Sequence, residues 1–247
     1  MNTQAFAFSV DAERYREDGF QVIPGVLDES TLAKARAESD RLMELCGSNP
    51  EFYGPRIEWE TDHLAPEDHD GMHRVIRKLE PISDLSSFFA ALALEPRLAD
   101  PARSVFGEEV GLFEDKLNLK LPGGSPYPWH QDWSCCWRAH TDELATCFVY
   151  LDDADEVNGC LRVVPKSHKD KIAYPFKEGS HFEIDTASFD QDLSVALPLK
   201  AGDMIMFDSW LLHYSDLNRG TSPRRAIIYT YYPARLGAIN DNRFPPS

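Results

Sequence analysis

The pattern of apolar and polar positions divides this chain into a helical first part and a β-rich second part. Apolar residues recur at roughly helical spacing between Leu32 and Leu45, after Asp28 and Ser30, either of which can cap a helix. Residues 81–106 also predict helix, and the short run 20–23 predicts a strand. The polar stretch 47–73, which is interrupted by proline and glycine, predicts a loop.

From about Val110 the pattern changes to short apolar runs separated by turn signals, of which Asn158-Gly159 is among the sharpest. These runs are GLFEDKLNLKLP, TCFVYLDD, CLRVVP, LSVALPL, DMIMFDSWLLHYS and RRAIIYTYYP. Because no helices separate them, they predict a sandwich or barrel rather than a parallel sheet. We therefore expect one α+β domain, with a mainly helical part over 1–109, a β core over 110–236 and a tail over 237–247.

Composition and charge exclude several classes of function. The 247 residues carry 41 acidic and 25 basic side chains, a net charge of −16, whereas nucleic-acid and anionic-membrane partners both require a basic face. No apolar run approaches the roughly 20 residues that span a bilayer, and the N-terminus lacks the features of a secretory signal. The five cysteines are irregularly spaced and do not form a disulfide framework. We expect a cytoplasmic protein that acts on a small molecule, with its oligomeric state left open.

Residues suited to metal binding are concentrated in the segment PWHQDWSCCW. On a strand, His130 and Asp132 project from the same face, as two ligands of one metal ion would. The spacing alone decides little, because three similar pairs lie in polar stretches that predict solvated loops. They are His140/Asp142, His168/Asp170 and His181/Glu183. His130 differs in lying between Trp129 and Trp133, which could shield a metal from water, although a buried histidine satisfied by Asp132 remains open.

A third metal ligand and an anion-binding group can come from the end of the β-rich part. His213 ends a strongly apolar run, Ser215 follows two residues later, and Arg224 begins the next strand. An arginine at the mouth of a barrel can hold a carboxylate through two parallel hydrogen bonds. A lone histidine in this position is more often a core residue, so Ser215 and Arg224 are what favour a site. The pair Cys135-Cys136 lacks the C-x-x-C spacing of metal-binding and redox motifs. We therefore expect these two side chains to pack in the core or to form part of the pocket wall.

Over nearly its whole length the chain resembles the phytanoyl-CoA dioxygenase family of Fe(II)/2-oxoglutarate-dependent oxygenases. WHQDW resembles the family's first two iron ligands, and NGCLRVVPKSH resembles its mid-barrel hairpin. GDMIMFDSWLLHYSDLN followed by Arg224 resembles its distal histidine and oxoglutarate arginine, and REDGFQVIPGVLDESTL resembles its N-terminal strand and helix. The resemblance implies a double-stranded β-helix core, also called a jelly roll or cupin-like fold, with an N-terminal helical layer packed against it.

The resemblance also implies roles for individual residues. The iron ligands, and so the catalytic centre, are His130, Asp132 and His213. The contacts to 2-oxoglutarate are Arg224, Ser215, Asn118, Phe148 and Lys78, of which Lys78 matches least closely because Arg77 adjoins it. Candidate substrate contacts are Trp133, Trp137, Arg138 and Arg162.

The implied reaction is hydroxylation of an unactivated C–H bond in a small metabolite, with consumption of O2 and release of succinate and CO2. The same chemistry can serve desaturation, epimerisation or cyclisation, which depend on substrate placement. Asp132 argues against halogenation, because related halogenases carry Gly or Ala in its place. Two other classes remain open. A zinc hydrolase would leave Arg224 and Ser215 without a role, and a non-catalytic jelly-roll binding module would use the His/Asp pair structurally.

Overall fold

The computed structural model describes residues 8–64, 67, 72, 74–133, 141–169, 174–179 and 182–239. Its helices are α1 Ala12–Asp18, α2 Glu29–Ser48, α3 Pro50–Tyr53, α4 Ser87–Leu94 and α5 Pro96–Phe106. Its strands are β1 Phe20–Ile23, β2 Ile57–Trp59, β3 Ile76–Leu79, β4 Val110–Lys120, β5 Tyr127–His130, β6 Ala145–Tyr150, β7 Leu161–Val163, β8 Val195–Leu197, β9 Met204–Asp208, β10 His213–Ser215 and β11 Arg224–Pro233.

Two antiparallel sheets face each other and form a jelly roll. Within the described residues, the large sheet has the order β1-β9-β6-β11-β4-β3-β2 and the small sheet has the order β5-β10-β7-β8. The apolar core between them contains Phe148 and Ile228 from the large sheet and Leu161 and Val163 from the small one. This arrangement confirms the expected double-stranded β-helix.

The helices cover the outer face of the large sheet. Leu42, Phe89 and Leu98, from α2, α4 and α5, share a core with Leu117 and Tyr229 of the sheet. The Tyr229 hydroxyl also donates a hydrogen bond of 2.9 Å to the Phe89 carbonyl, which ties α4 to the sheet. The large sheet is therefore buried on both faces, and its inner face is available for a site. No helix in the described part of the chain is long and apolar enough to cross a membrane.

Two parts of the structure differ from the sequence-based expectation. Residues 57–59, inside the predicted loop 47–73, form β2, which pairs with β3 at the edge of the large sheet. The single run DMIMFDSWLLHYS forms two strands in different sheets. The Asp208 carboxylate accepts a hydrogen bond of 2.9 Å from the Trp210 backbone, and this turn redirects the chain from β9 to β10. Hydrophobic pattern alone does not reveal such a turn, because the residues around it are buried.

A substitution at Leu42 tests whether α2 packs against the sheet. We expect Leu42→Ala to lower the free energy of unfolding by about 2–5 kcal/mol, because Leu42 is fully buried and its removal leaves a cavity. The exposed Glu44→Ala in the same helix should change it by less than about 0.5 kcal/mol. Urea denaturation followed by tryptophan fluorescence measures both. Equal effects of the two substitutions would contradict the packing of α2 described here.

Candidate active site

Two histidines and one aspartate meet at the open end of the small sheet. His130 ends β5, His213 begins β10, and the two are register partners, so their rings lie 4.1 Å apart between centroids. Asp132 follows two residues after His130, with Oδ1 3.5 Å from His130 Nε2 and 3.8 Å from His213 Nε2. The ligand atoms of the three residues all lie within 4.8 Å of one another, so together they could hold a metal ion.

The hydrogen bonds of both rings suit metal binding. His130 Nδ1 lies 2.7 Å from the Pro128 carbonyl, and His213 Nδ1 lies 2.9 Å from the Leu211 carbonyl. Carbonyl oxygens only accept, so each Nδ1 carries a proton, and each Nε2 faces Asp132 on the side where a metal ion would bind. Burial, together with the neighbouring His130, lowers the pKa of His213 to about 4, which leaves this ring neutral at pH 7. Burial alone would raise the pKa of Asp132, but the two histidines hold it below its usual range.

A pair of buried threonines holds the other oxygen of Asp132. Thr146 Oγ1 donates to Asp132 Oδ2 over 3.2 Å, and the hydroxyls of Thr146 and Thr230 lie 3.3 Å apart. Both threonines are at most 1% exposed. These hydrogen bonds restrain rotation of the Asp132 carboxylate, because Oδ2 is fixed by Thr146 while Oδ1 faces the two histidines.

A cavity of about 220 Å³ extends along the inner face of the large sheet from the His/Asp cluster to Arg224. Alternate residues of β11 share this face and are paired with alternate residues of β4. The register pairs are Arg224 with Lys120, Ala226 with Asn118, Ile228 with Lys116 and Thr230 with Glu114. Since a strand rises about 3.4 Å per residue, the backbone at Arg224 and at Thr230 is separated by roughly 20 Å. The cavity therefore has an end at Arg224 and an end at the His/Asp cluster.

Arg224 is buried with part of its hydrogen-bonding capacity unused. It is 1% exposed; Nε donates to the Gly159 carbonyl over 3.1 Å and Nη2 to Ser215 Oγ over 3.1 Å. Within the described residues, Nη1 has no hydrogen-bond partner, and neither does Oδ1 of the buried Asn118. A buried guanidinium in which one nitrogen, here Nη1, has no acceptor is suited to the carboxylate of a ligand. Phe148 completes this end, with the Arg224 guanidinium carbon 5.6 Å from the centre of its ring.

Lys78 reaches the cavity from the edge of the sheet, in register with Asn118. Its ammonium lies 2.8 Å from Glu58 Oε2 and 3.0 Å from Glu80 Oε2, so two carboxylates already hold it. Glu58 also accepts from His63 Nε2, over 2.7 Å. Together with Lys116, the residues Glu58, His63 and Lys78 form a charged wall of the cavity.

Of the four candidate substrate contacts, the structure describes Trp133 and Arg162, and neither lines the cavity. Trp133 stacks on Trp210, with ring centroids 3.9 Å apart, and is not among the residues that line the cavity. Arg162 pairs with Glu156 over 2.9 Å beside a separate surface depression. Trp137 and Arg138 lie outside the described residues.

The prediction of a solvated loop is wrong for His168. This residue is 8% exposed because its ring packs over Gly19, where a side chain would collide with it.

Sequence reasoning missed several residues of the site. Lys116 and Lys120 share the inward face of β4 with Asn118, and the two-residue period of a strand could have indicated them. Thr146 gives no such signal, because its contact with Asp132 depends on the pairing of distant strands. Glu58 was hidden in a segment that predicts a loop.

The sequence matches the family model described as Phytanoyl-CoA dioxygenase (PhyH) over residues 15–226. The chain belongs to this family. It is therefore an Fe(II)/2-oxoglutarate-dependent dioxygenase, and the expected family, fold class and cofactors are confirmed. The residues fit both cofactors, because a His/Asp/His cluster and a buried guanidinium with a free N–H border one cavity.

Several known proteins resemble the chain over most of its length. The 2-aminoethylphosphonate dioxygenase of Uncultured bacterium HF130_AEPn_1 is 27% identical, over 94% of this chain and 87% of that protein. The crystal structure of EctD from S. alaskensis with 2-oxoglutarate and 5-hydroxyectoine is 25% identical, with a TM-score of 0.69 over 91% of this chain and 76% of that one. The α-ketoglutarate-dependent epimerase SnoN from nogalamycin biosynthesis has the same fold, with a TM-score of 0.69 at 23% identity over 90% of this chain and 82% of that one.

The threonine contact to Asp132 leads to a test of metal binding. We expect Thr146→Val to weaken the binding of Mn(II) by about tenfold or more, because the carboxylate loses the hydrogen bond that orients it. Thr230→Val, which removes a hydroxyl one step further from Asp132, should have a smaller effect. Calorimetric titration of the metal-free protein with Mn(II) measures both. Unchanged affinity in Thr146→Val would show that this hydroxyl does not position the carboxylate.

Proposed function

We propose that this dioxygenase hydroxylates an unactivated C–H bond of a small charged metabolite and couples that reaction to the conversion of 2-oxoglutarate and O2 into succinate and CO2. One observation carries the proposal. A single cavity joins a cluster of three potential metal ligands to a buried guanidinium that has an N–H without an acceptor among the described residues. A redox metal and an anionic cosubstrate can therefore occupy the same cavity.

In this proposal His130, Asp132 and His213 hold Fe(II). Two imidazoles and one carboxylate on one side of a metal leave its remaining positions open to other ligands. The neutral state of His213 and the ionised state of Asp132 support the assignment, since both side chains then offer lone pairs at pH 7.

We assign the distal carboxylate of 2-oxoglutarate to Arg224 and Ser215. Arg224 Nη1 offers an N–H for it, and the Ser215 hydroxyl lies beside the same guanidinium. Asn118 borders the space between this end and the metal ligands, and Phe148 forms its wall. Lys78 lies beside Asn118 and, through its two carboxylate partners, contributes to the charged wall rather than offering a free ammonium.

When bound, iron and 2-oxoglutarate supply an oxidant strong enough to cleave a C–H bond that no side chain could activate. The chain's own part is to bind, orient and exclude water. Phe148, Phe207 and Ile228 give the cavity apolar walls that help to exclude water.

The charged wall supports a small polar substrate. Glu58, His63, Lys78 and Lys116 present both signs of charge to the cavity, and the cavity of about 220 Å³ must also hold the cosubstrate. A long hydrocarbon would remove these charged side chains from water and offer them no hydrogen bonds in exchange, which is costly. The 2-aminoethylphosphonate named for one relative is likewise small and carries both an amine and an acid.

Other outcomes are distinguished by the product. Desaturation, epimerisation and cyclisation need the same site and differ only in how the target carbon is placed, so identification of the product separates them from hydroxylation. A zinc hydrolase would leave Arg224 and Ser215 without a role, and neither a zinc hydrolase nor a binding module would form succinate.

Succinate formation tests the proposed function. We expect the protein to release succinate from 2-oxoglutarate in the presence of Fe(II) and O2, and a metabolite screen for stimulated release should identify the substrate. His130→Ala should abolish this turnover. Arg224→Ala should mainly raise the KM for 2-oxoglutarate, by about tenfold or more, because a charged hydrogen bond is lost.

Arg225 provides the matched control for Arg224. It follows Arg224 on β11 but points to the opposite face, where it binds Asp152 over 2.8 Å and Asp40 over 2.7 Å. Arg225→Ala should lower stability and leave the KM for 2-oxoglutarate unchanged. Full activity of both His130→Ala and Arg224→Ala, or zinc-dependent activity without succinate, would overturn the proposal.

A further inference from the structure

Lys120 is a buried lysine at the end of β4, in register with Arg224, and it is 1% exposed. Its ammonium nitrogen lies 2.9 Å from Ser215 Oγ and 3.2 Å from the Ser215 carbonyl, and it also donates to the Asp216 carbonyl. Within the described residues, neither Lys120 nor Arg224 forms an ion pair with a carboxylate. Two buried basic side chains therefore lie side by side at one end of the cavity.

The hydrogen bonds of this cluster determine what the Ser215 hydroxyl can do. An ammonium has three N–H groups, and Lys120 has three oxygens around it, two of which are carbonyls that only accept. A serine oxygen has two lone pairs and one hydrogen. Lys120 Nζ occupies one lone pair and Arg224 Nη2 the other, so the hydrogen must be donated elsewhere. Ser215 lines the cavity, and that hydrogen has no acceptor among the described residues.

The surrounding backbone is built to admit Lys120. A side chain on Gly159, which has a φ of +78°, would lie 2.3 Å from the Asp216 carbonyl and 3.1 Å from Lys120 Cδ. Only glycine leaves room there for both. Asn218, 1% exposed, donates to the Lys120 carbonyl over 3.1 Å and to the Ser222 carbonyl over 2.9 Å. The segment between β10 and β11 is thereby attached to the end of β4, and the Lys120 ammonium is held against Ser215.

We infer that Lys120 is a positioning residue for 2-oxoglutarate: by occupying one lone pair of Ser215 Oγ while Arg224 occupies the other, it directs the Ser215 hydroxyl hydrogen to the distal carboxylate of the cosubstrate. The inference rests on the proposed binding of that carboxylate at Arg224. Lys120 itself does not touch the cosubstrate, because its three N–H groups are used by protein oxygens.

Charge supports the same arrangement. Burial, and then the nearby Arg224 guanidinium, lower the pKa of Lys120 well below its usual value. A carboxylate bound at Arg224 would counter both buried cations and favour the ammonium form, which is the form that makes Ser215 a donor. Binding of the anion and the orientation of Ser215 thus reinforce each other.

A double-mutant cycle tests this inference. Binding of 2-oxoglutarate is measured by calorimetry, without O2 and with Mn(II) in the metal site, for the wild type, Lys120→Met, Ser215→Ala and the double variant. Each single substitution should raise the Kd by about tenfold or more, because one hydrogen bond to a charged group is lost. The double variant should bind about as weakly as Ser215→Ala, since Lys120 acts through Ser215.

Two controls separate positioning from a general loss of structure or charge. 2-Oxobutyrate has the same 2-oxo acid group but no distal carboxylate, so its Kd should not change in Lys120→Met. Lys116→Met removes a lysine from the same face of β4, and the ion pair of Lys116 is with Glu114. Its effect on 2-oxoglutarate binding should multiply with that of Ser215→Ala.

The inference is overturned if Lys120→Met binds 2-oxoglutarate as the wild type does, if its effect multiplies with that of Ser215→Ala, or if 2-oxobutyrate binding weakens equally. Mn(II) affinity checks that each variant is folded, and Lys120→Gln replaces Lys120→Met if the latter does not fold. Failure of the proposed function has a different signature, because the wild type itself would then not bind 2-oxoglutarate.

Discussion

The pairing of β11 with β4 on one side and β6 on the other is the constraint on which the rest of the structure depends. Register pairs run along nearly the whole strand, and they set which side chains face the helices and which face the cavity. Tyr229 and Tyr231 point outward and anchor α4 through backbone carbonyls. Arg224 and Ile228 point inward. One strand thus links the packing of the helical layer to the geometry of the site, because side chains alternate with a period of two.

At the Arg224 end of the cavity, the fold buries two basic side chains at a cost in free energy. Burying Arg224 and Lys120 together without a carboxylate opposes folding, since each buried charge loses its hydration. The surrounding structure compensates by accepting hydrogen bonds from these two side chains, at the Gly159, Ser215 and Asp216 carbonyls and at Ser215 Oγ. This end of the cavity is therefore preorganised for an anion, so few side chains have to rearrange on binding.

Much of the site could be predicted from the sequence. His130 and Asp132 lie two residues apart in one short motif, and Ser215 and Arg224 follow His213 closely, so these motifs taken together indicated them. Thr146 and Glu58 could not be found in this way. Thr146 reaches Asp132 only because β6 pairs with β11 and β9, and Glu58 reaches the cavity because three residues of an apparent loop add a strand to the sheet. Edge strands this short carry too little pattern to be recognised.

The sequence by itself determined the α+β class, the family, most strands of the jelly roll and the types of side chain that can bind iron and a carboxylate, because these depend on local periodicity and on motifs of a few residues. Only the tertiary structure decided which oxygen of Asp132 faces the histidines, that Lys78 is held by two carboxylates, and that Lys120 and Arg224 share Ser215. These features depend on the register and crossing of strands distant in sequence, and hydrogen-bond partners are settled only when those strands meet.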